Sequence, residues 1–465
     1  MAAASHLYEA YYNLIAGGYF RKFIPMHDKY NSPVVRIGTN HVHVGDPKYY
    51  HTIYNSGTDF AKAHTFYGKL GTEGAILTIS DPEEHKKYRS IVSPLFSRKS
   101  SDDLGPTMAA ELDKATLSMA RQGKEGKVTV IQQVYRALSA DMVCHLLFGR
   151  SLGLLDTPGT EADHYHPLMR SVDKFTGITW LRIYYSVVNW VISSFPDFVV
   201  NWLQPGMLSY EKIFNGWLEE AIATHDSGKE SEGKETFFDL IVKSRRKTGD
   251  VLSSTLIFND VFNYIVAGME SSSYVLSFAT YFILTNPDAK AKLEKELLEA
   301  RPFIRNLDHR KLMTLPYLTA VVKESLRLSN TVPGSLPRIV PKGIDIGGFH
   351  IAGGTIISMA HPIVERDENI FPEPDAFIPE RWMGSEAQKL EKWSIAFSRG
   401  RRQCIATNLA YLELYTTIAV FFSRFEMELF DTTASDMELI DVFAPITKNP
   451  VKVKILHDRW ANSDD

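Results

Sequence analysis

Residues Phe397–Ala406 read Phe-Ser-Arg-Gly-Arg-Arg-Gln-Cys-Ile-Ala (FSRGRRQCIA), and they hold one of only two cysteines in a chain of 465 residues. The thiol of Cys404 follows three arginines and a glycine. An apolar run of helical period, Ile405 to about Phe425, comes directly after it. A cysteine at the start of a helix meets backbone N–H groups that lack a helical partner, and adjacent guanidinium groups add positive charge. Both favour thiolate over thiol. The order Phe397, Gly400, Arg402, Cys404 (F-x-x-G-x-R-x-C) therefore reads as a loop that presents a single sulfur anion.

Composition narrows what that sulfur can do. With Cys144 the only other cysteine, a disulfide framework and a cysteine-only zinc site are excluded. Hydrophobic residues at 44% and aromatics at 12% are the profile of a globular chain with a large core. A net charge of -4 and no long basic stripe exclude broad nucleic-acid binding. No linker separates domains, so residues 1–465 read as one catalytic domain. The most apolar stretch, Trp180–Leu203, contains Arg182, Pro196 and Asp197, which argues for buried or surface-dipping helices over a span.

The rest of the chain is mostly helical. Strand-like alternation in SPVVRIGTNHVHVGDP precedes a helix that starts at Asp81-Pro82 with acidic residues in its first turn. Further helices are expected over Glu111 to about Gly149, Tyr210–Lys247, a long one over Ser253–Thr285 interrupted at VAGMESSS, then Pro287–Ala300 and Tyr317–Leu328. Clustered Gly and Pro with short β-branched runs between Thr331 and Pro362 predict a small sheet. The fold class is thus mainly α with a small β portion.

A lone thiolate suits a cofactor that brings its other ligands itself, and haem is such a cofactor. Two more stretches bear on this. In AGMES (Ala267–Ser271), a buried acid beside a hydroxyl after a glycine is costly inside a long helix and needs a reason. A kink at Gly268 would leave room for a diatomic ligand over a metal, with Glu270 and Ser271 relaying protons. In ESLR, Glu324 and Arg327 lie three apart on one helical face and can pair.

These motifs, in this order, resemble the cytochrome P-450 family of haem-thiolate monooxygenases over nearly the whole chain, with the tone of fungal microsomal members of natural-product pathways near the trichodiene-oxygenase-like group. The resemblance implies haem b buried between the long central helix and the cysteine-loop helix, with Cys404 as axial ligand and Phe397, Gly400, Ala267 and Gly268 around it. It implies that Glu324, Arg327 and Arg381 of PERW form a triad that holds the cysteine loop. His85 and Arg89 of HKKYR, Arg338 of LPRIVP and Arg402 would meet the haem propionates. Three departures stand out: Ser271 where threonine is usual, Ala406 where glycine is usual, and no tryptophan in the His85–Arg89 helix.

The activity implied is oxidation of a hydrophobic small molecule (terpenoid, polyketide or indole-type) with dioxygen. No dinucleotide fingerprint is evident, since GTEGAI lacks the glycine spacing. Electrons are therefore expected from a separate NADPH-cytochrome reductase, docking near Arg399 and Arg401. Substrate-lining positions by resemblance are Phe66, Tyr67, Phe262, Val266, Val332, Gly334, Ser335, Phe443 and Ile446. The expected native form is a monomer, associated with the endoplasmic reticulum membrane through an N-terminal anchor and facing the cytoplasm, with this chain read as trimmed of that anchor and residues 1–5 as an added start. The alternatives are oxidative coupling, desaturation or ring closure without oxygen insertion, and a haem-binding protein without turnover.

Overall fold

The 32-residue helix Ser254–Thr285 is the spine of the molecule. It is apolar nearly all round, as a helix covered on most sides must be. In the computed structural model, which describes residues 5–55, 57, 59–156, 166–185, 187–196, 199, 207–227, 235–248 and 253–461, it packs against Ile131–Phe148, Pro316–Ser329 and Thr407–Arg424. One continuous apolar core runs through these helices.

The closest approach in this core explains a glycine. A Cβ at Gly268 would come within 2.3 Å of Val143 Cγ2 on Ile131–Phe148. Gly268 is therefore small because one helix lies on another, which corrects the expectation that it opens room for a ligand. The helix also runs unbroken through VAGMESSS. Serines of this run donate their hydroxyls to carbonyls one turn back, Ser271 to Ala267 at 2.7 Å and Ser273 to Glu270 at 3.2 Å, without breaking the ladder.

Local signals place the other elements. Asp81 caps the helix Pro82–Val92, accepting from the N–H groups of Glu83 at 3.0 Å and Glu84 at 2.7 Å, with Pro82 at its first position. The helical stretch before Gly149 resolves into Gly105–Lys124 and Ile131–Phe148, and Gly149 ends the second in the left-handed region at φ 67°. The last strong helix begins at Thr407 and not at Ile405, so Cys404 lies just ahead of it.

Five short strands form a mixed sheet over a second core. They are β1 (Val34–Gly38), β2 (His41–Val44), β3 (Ala61–Lys62), β4 (Arg338–Ile339) and β5 (Ile356–Ser358), in the order β1-β2-β5-β4-β3. Only β2 and β5 run parallel. The register of β3 on β4 sets Lys62 directly opposite Arg338. Among the described residues no helix is long and apolar enough to cross a membrane. The stretch from Trp180 supplies the short helices Thr179–Tyr184 and Val187–Ser193, and several of its later residues, like 1–4, lie outside the described residues.

Candidate functional site

The cysteine loop closes on itself before the helix begins. The Cys404 N–H donates to the Phe397 carbonyl at 2.9 Å, Gln403 N–H to Gly400 at 3.1 Å, and Ser398 N–H to Ile395 at 2.7 Å. So tight a reversal needs left-handed backbone at Ser398 (φ 57°) and Gly400 (φ 76°), and the second is where glycine costs least. Phe397 sets its ring edge-on to Tyr411, 5.1 Å between centroids. Ala406, by contrast, sits at φ -92°, a conformation open to any residue. The alanine therefore needs no strain, and its N–H still reaches the Cys404 sulfur. Burial is the leading influence on that thiol and raises its pKa; Ala406, Arg89 and Thr407 oppose it. The expectation that the free thiol is already a thiolate is thus corrected, because in this fold desolvation outweighs the nearby cations. As a residue Cys404 nonetheless keeps exposed surface, unlike Cys144, which is wholly buried.

Beside the loop lies a cluster of cations with little to balance them. Arg338 and Lys62 are both buried and face each other across β4 and β3. Like charges directly opposite in a sheet repel. Lys62 donates to the Leu77 carbonyl at 2.6 Å and sits 4.4 Å from the Tyr67 ring centre, while Arg338 keeps Nε and Nη1 buried with no hydrogen-bond partner. His85 is buried too, and burial with the charges of Arg402, Lys62, Arg89 and Arg338 pushes its pKa down to about 3. Each of those charges acts in the same direction, as in a site that awaits an anion. Sequence reasoning missed Lys62. Its only signal was a lysine alternating with alanines in FAKAH, and nothing local tells which strand it will meet.

Two arginines of this group are also structural. Arg402 donates to the carbonyls of Ile79 (2.7 Å), Ser80 (3.0 Å) and Asp81 (3.2 Å), and so ties the cysteine loop to the start of Pro82–Val92. Arg89 donates to Gln403 O at 2.8 Å. The paired expectation of propionate contacts from both is narrowed: the terminal nitrogens of Arg402 are committed to backbone. Arg399 likewise donates to the carbonyls of Glu391, Lys392 and Ser394, which corrects its reading as a free docking charge. Arg401 is exposed.

On the central helix the structure separates Glu270 from Ser271. Ala267 and Ser271, one turn apart, are exposed in a stretch whose neighbours are mostly buried, so this turn faces open space within the protein. Glu270 points elsewhere. It is buried and accepts from Arg136 Nη2 at 2.6 Å and Nε at 3.1 Å, and Arg136 also holds Asp173 at 2.6 Å. Neighbouring helical side chains diverge by about 100°, so one cannot share the other's face. The joint relay expected of Glu270 and Ser271 is therefore corrected: Glu270 belongs to a buried ion pair with Arg136, and only the Ser271 hydroxyl lies on the open turn. Burial raises the Glu270 pKa, while Arg136 opposes the rise.

The remaining triad comes together fully. Glu324, wholly buried, accepts from Arg327 Nε (2.9 Å) and Nη2 (2.8 Å), Arg381 Nε (3.0 Å), the Ile378 N–H (3.1 Å) and Trp382 Nε1 (2.8 Å). Trp382 is a member the sequence reading passed over, although it stands next to Arg381 in PERW.

The chain matches the family model "Cytochrome P450" over residues 12–456. It is 64% identical to the cytochrome P450 monooxygenase ankB of Aspergillus thermomutatus over 462 residues, 99% of this chain and 88% of that protein. It is 38% identical to phqM of Penicillium fellutanum (99% and 87% covered) and 37% to cloA of Claviceps purpurea (99% and 90% covered), both cytochrome P450 monooxygenases. The chain belongs to the cytochrome P450 family. It is an oxidoreductase, and its cofactor is haem b.

The residues of this P450 fit that cofactor. Cys404 on its hydrogen-bonded loop would hold the haem iron, and the orphaned N–H groups of Arg338, with Lys62 opposite, would hold its carboxylates. His85 adds a further polar group on the same side. The expected lining is partly assembled. Phe66 and Tyr67 join Trp180 and Phe443 in one aromatic cluster, with Phe66 5.8 Å from Phe443 and 6.1 Å from Trp180. Gly334 lies against Asp441 beside that cluster. Phe262 instead packs edge-on to Phe175 at 4.9 Å within the helical core, with Val266 at the core's margin. Ser335 bridges Ala360, Ile446 pairs with Ile440, and neither they nor Val332 take part in the aromatic cluster.

Proposed function

We infer that this P450 oxidises a hydrophobic small molecule of secondary metabolism, of terpenoid, polyketide or indole type, and that Cys404 is the axial ligand of its haem. The observation that carries this is the exposed Cys404 at the end of its loop, on the same side as a buried Arg338 whose Nε and Nη1 have no partner and which faces Lys62 across the strands. When bound, haem b supplies activation of dioxygen, helped by electron density from the thiolate. The protein's own part is positional and protic. Arg338 and Lys62 hold carboxylates, the Phe397–Cys404 loop fixes the sulfur, and the Ser271 hydroxyl, now donating to Ala267 O, can turn to hold a proton on the open turn. The aromatic wall of Phe66, Tyr67, Trp180 and Phe443 suits an apolar substrate and excludes water.

Electrons are proposed to come from a separate NADPH-dependent reductase. The endoplasmic reticulum surface is proposed as its place of work. Supporting the latter, exposed apolar side chains of Leu7–Leu14 (Leu7, Tyr11, Leu14) and of the segment around Val187–Ser193 (Tyr185, Val187, Trp190) lie on adjoining elements, joined by Asn13 Nδ2 donating to Tyr184 Oη at 2.7 Å. Product mass tests the reaction class. With reductase, NADPH and labelled dioxygen, oxygenation adds one labelled oxygen atom, whereas coupling, ring closure or desaturation removes two hydrogens and adds none.

The division of labour on the central helix gives a sharper test. Ser271→Ala is expected to lower product formation by about 10²-fold, the usual worth of a positioned proton donor, while NADPH consumption continues. Glu270→Gln is expected to lower the melting temperature, because it strips Arg136 of a buried counter-charge, and to leave the ratio of product to NADPH near wild type. Equal uncoupling in both variants would return Glu270 to the relay.

A further inference from the structure

Asp260 lies on the central helix seven residues before Ala267, hence two turns away on nearly the same face. It is buried to 1% exposure, and its two carboxylate oxygens serve two different segments. Oδ1 accepts from the Ile76 N–H at 2.7 Å, in the loop that follows Tyr67. Oδ2 accepts from Tyr88 Oη at 2.6 Å, on the helix Pro82–Val92, a short charge-assisted bond. Burial pushes the Asp260 pKa up to about 7 although these donors oppose the rise. An acid is a costly choice at such a place.

Both segments run on to the cysteine loop. Tyr88 is followed by Arg89, whose Nη1 donates to Gln403 O at 2.8 Å. From Ile76 the chain makes a tight turn, with the N–H groups of Thr78 and Ile79 donating to Ala75 O at 2.8 and 3.1 Å. The carbonyls of Ile79, Ser80 and Asp81 come next, and all three accept from Arg402. One arm therefore ends on Gln403 and the other on Arg402, the two residues directly ahead of Cys404. Leu70 and Leu77, on either side of Ile76 in the same loop, pack in the aromatic cluster with Tyr67 and Trp180. A single bond from a helix to a loop would be ordinary packing. Two bonds from one carboxylate, leading to consecutive positions ahead of the sulfur, make a closed frame between the central helix and the cysteine loop.

We propose that Asp260 is a positioning residue of the haem site: through Tyr88–Arg89 and through Ile76–Asp81 it fixes the cysteine loop against the central helix, and so holds Cys404 in place. This rests on the reading of Cys404 as axial ligand and adds to it the group that sets the ligand's position.

The reduced holoenzyme with carbon monoxide gives the test, because its red-shifted Soret band decays as thiolate ligation is lost. Tyr88→Phe breaks one arm and keeps the ring, and Asp260→Ala breaks both. In Asp260→Asn the amide can still accept from Ile76 and donate to Tyr88 Oη. The band is expected to decay about 10-fold faster in Tyr88→Phe, the factor that one hydrogen bond to a charged group is worth. It should decay faster again in Asp260→Ala and near the wild-type rate in Asp260→Asn. Tyr135→Phe is the matched control. Its hydroxyl bonds Thr280 of the same helix at 2.7 Å, also buried and outside both arms, so its loss should lower the melting temperature and leave the decay unchanged. Decay in Tyr88→Phe and Asp260→Ala no faster than in Tyr135→Phe overturns the proposal and makes Asp260 a matter of stability alone. A wild type that lacks the red-shifted band would instead sink the reading of Cys404. Alkylation of the Cys404 thiol, in the same variants on a Cys144→Ser background, then decides: a rate raised about 10-fold in Tyr88→Phe and Asp260→Ala upholds the frame, and an unchanged rate overturns it.

Discussion

Cys404→Ser should fold and yet lose the spectroscopic signature of the family. The carbon monoxide complex of the reduced protein is expected to lack the red-shifted Soret band of thiolate-ligated haem, and turnover is expected to fall by more than the roughly 100-fold that losing even an outer-sphere partner can cost. Folding should survive because the side chain is not what shapes the loop. The backbone makes the turn: Cys404 N–H bonds to Phe397 O, and Thr407 Oγ1 donates to Cys404 O at 3.1 Å, neither of which involves sulfur. A serine hydroxyl fits the same space but ionises far less readily than a thiol and is a poor source of electron density for iron. The contrast to watch is Cys144, wholly buried with its thiol pKa raised by burial. Cys144→Ser should leave the band intact. A band that persisted in Cys404→Ser would move the axial ligand elsewhere and with it the whole site.

How far the sequence leads can be judged from particular residues. Motifs whose chemistry is local were legible. F-x-x-G-x-R-x-C named the loop because a single sulfur, a left-handed glycine and an arginine are needed within eight residues, and Asp81-Pro82 named a helix start because cap and first turn are adjacent. Glu324 and Arg381 were legible only in combination, since the link between them passes through the resemblance and not through spacing. What stayed hidden depends on contacts between remote segments. Lys62 matters through its register with Arg338, Glu270 through Arg136 on another helix, and Gly268 through Val143. In each case the sequence showed a residue type that needed a reason, and it could not show on which face the reason lay. Glu270 is instructive: the cost of a buried acid was read correctly, but the partner that offsets it turned out to be a guanidinium and not a reacting group. Arg182 shows the reverse, a charge read only as an obstacle to a membrane span that the fold turns into an unpaired donor.

The largest loss of stability should follow Glu324→Gln. This carboxylate gathers five donors from Arg327, Arg381, Trp382 and Ile378, and among the described residues it is the acid that they share. Glutamine keeps the shape but turns one oxygen into a donor that faces other donors, and it leaves two buried arginines without their counter-charge. Breaking a buried ion pair on one side costs about 3–5 kcal/mol, and here two cations lose the same partner. The arginines have a second duty that makes the loss reach the active site. Arg327 donates to the carbonyls of Glu365, Pro374 and Ala376, and Arg381 to those of Pro372 and Glu373. The Glu373 carbonyl also accepts from the Ala376 N–H at 3.1 Å, and among the described residues the two guanidinium groups are what serves the others. Freed from Glu324, both arginines would lose their aim, and the chain that runs from Pro372 through Trp382 towards the Phe397–Cys404 loop would loosen. The expected result is a melting temperature lower by roughly 5 °C or more, together with poor haem incorporation. Trp382→Phe is the graded control: it removes one donor and keeps the charge balance, so it should cost about 1.5–3 kcal/mol and leave haem content near normal. If Glu324→Gln melted like the wild type, the cluster would be an ion pair of no consequence to the loop. If Trp382→Phe matched Glu324→Gln, packing around the indole, and not the shared charge, would be what holds the cysteine in place.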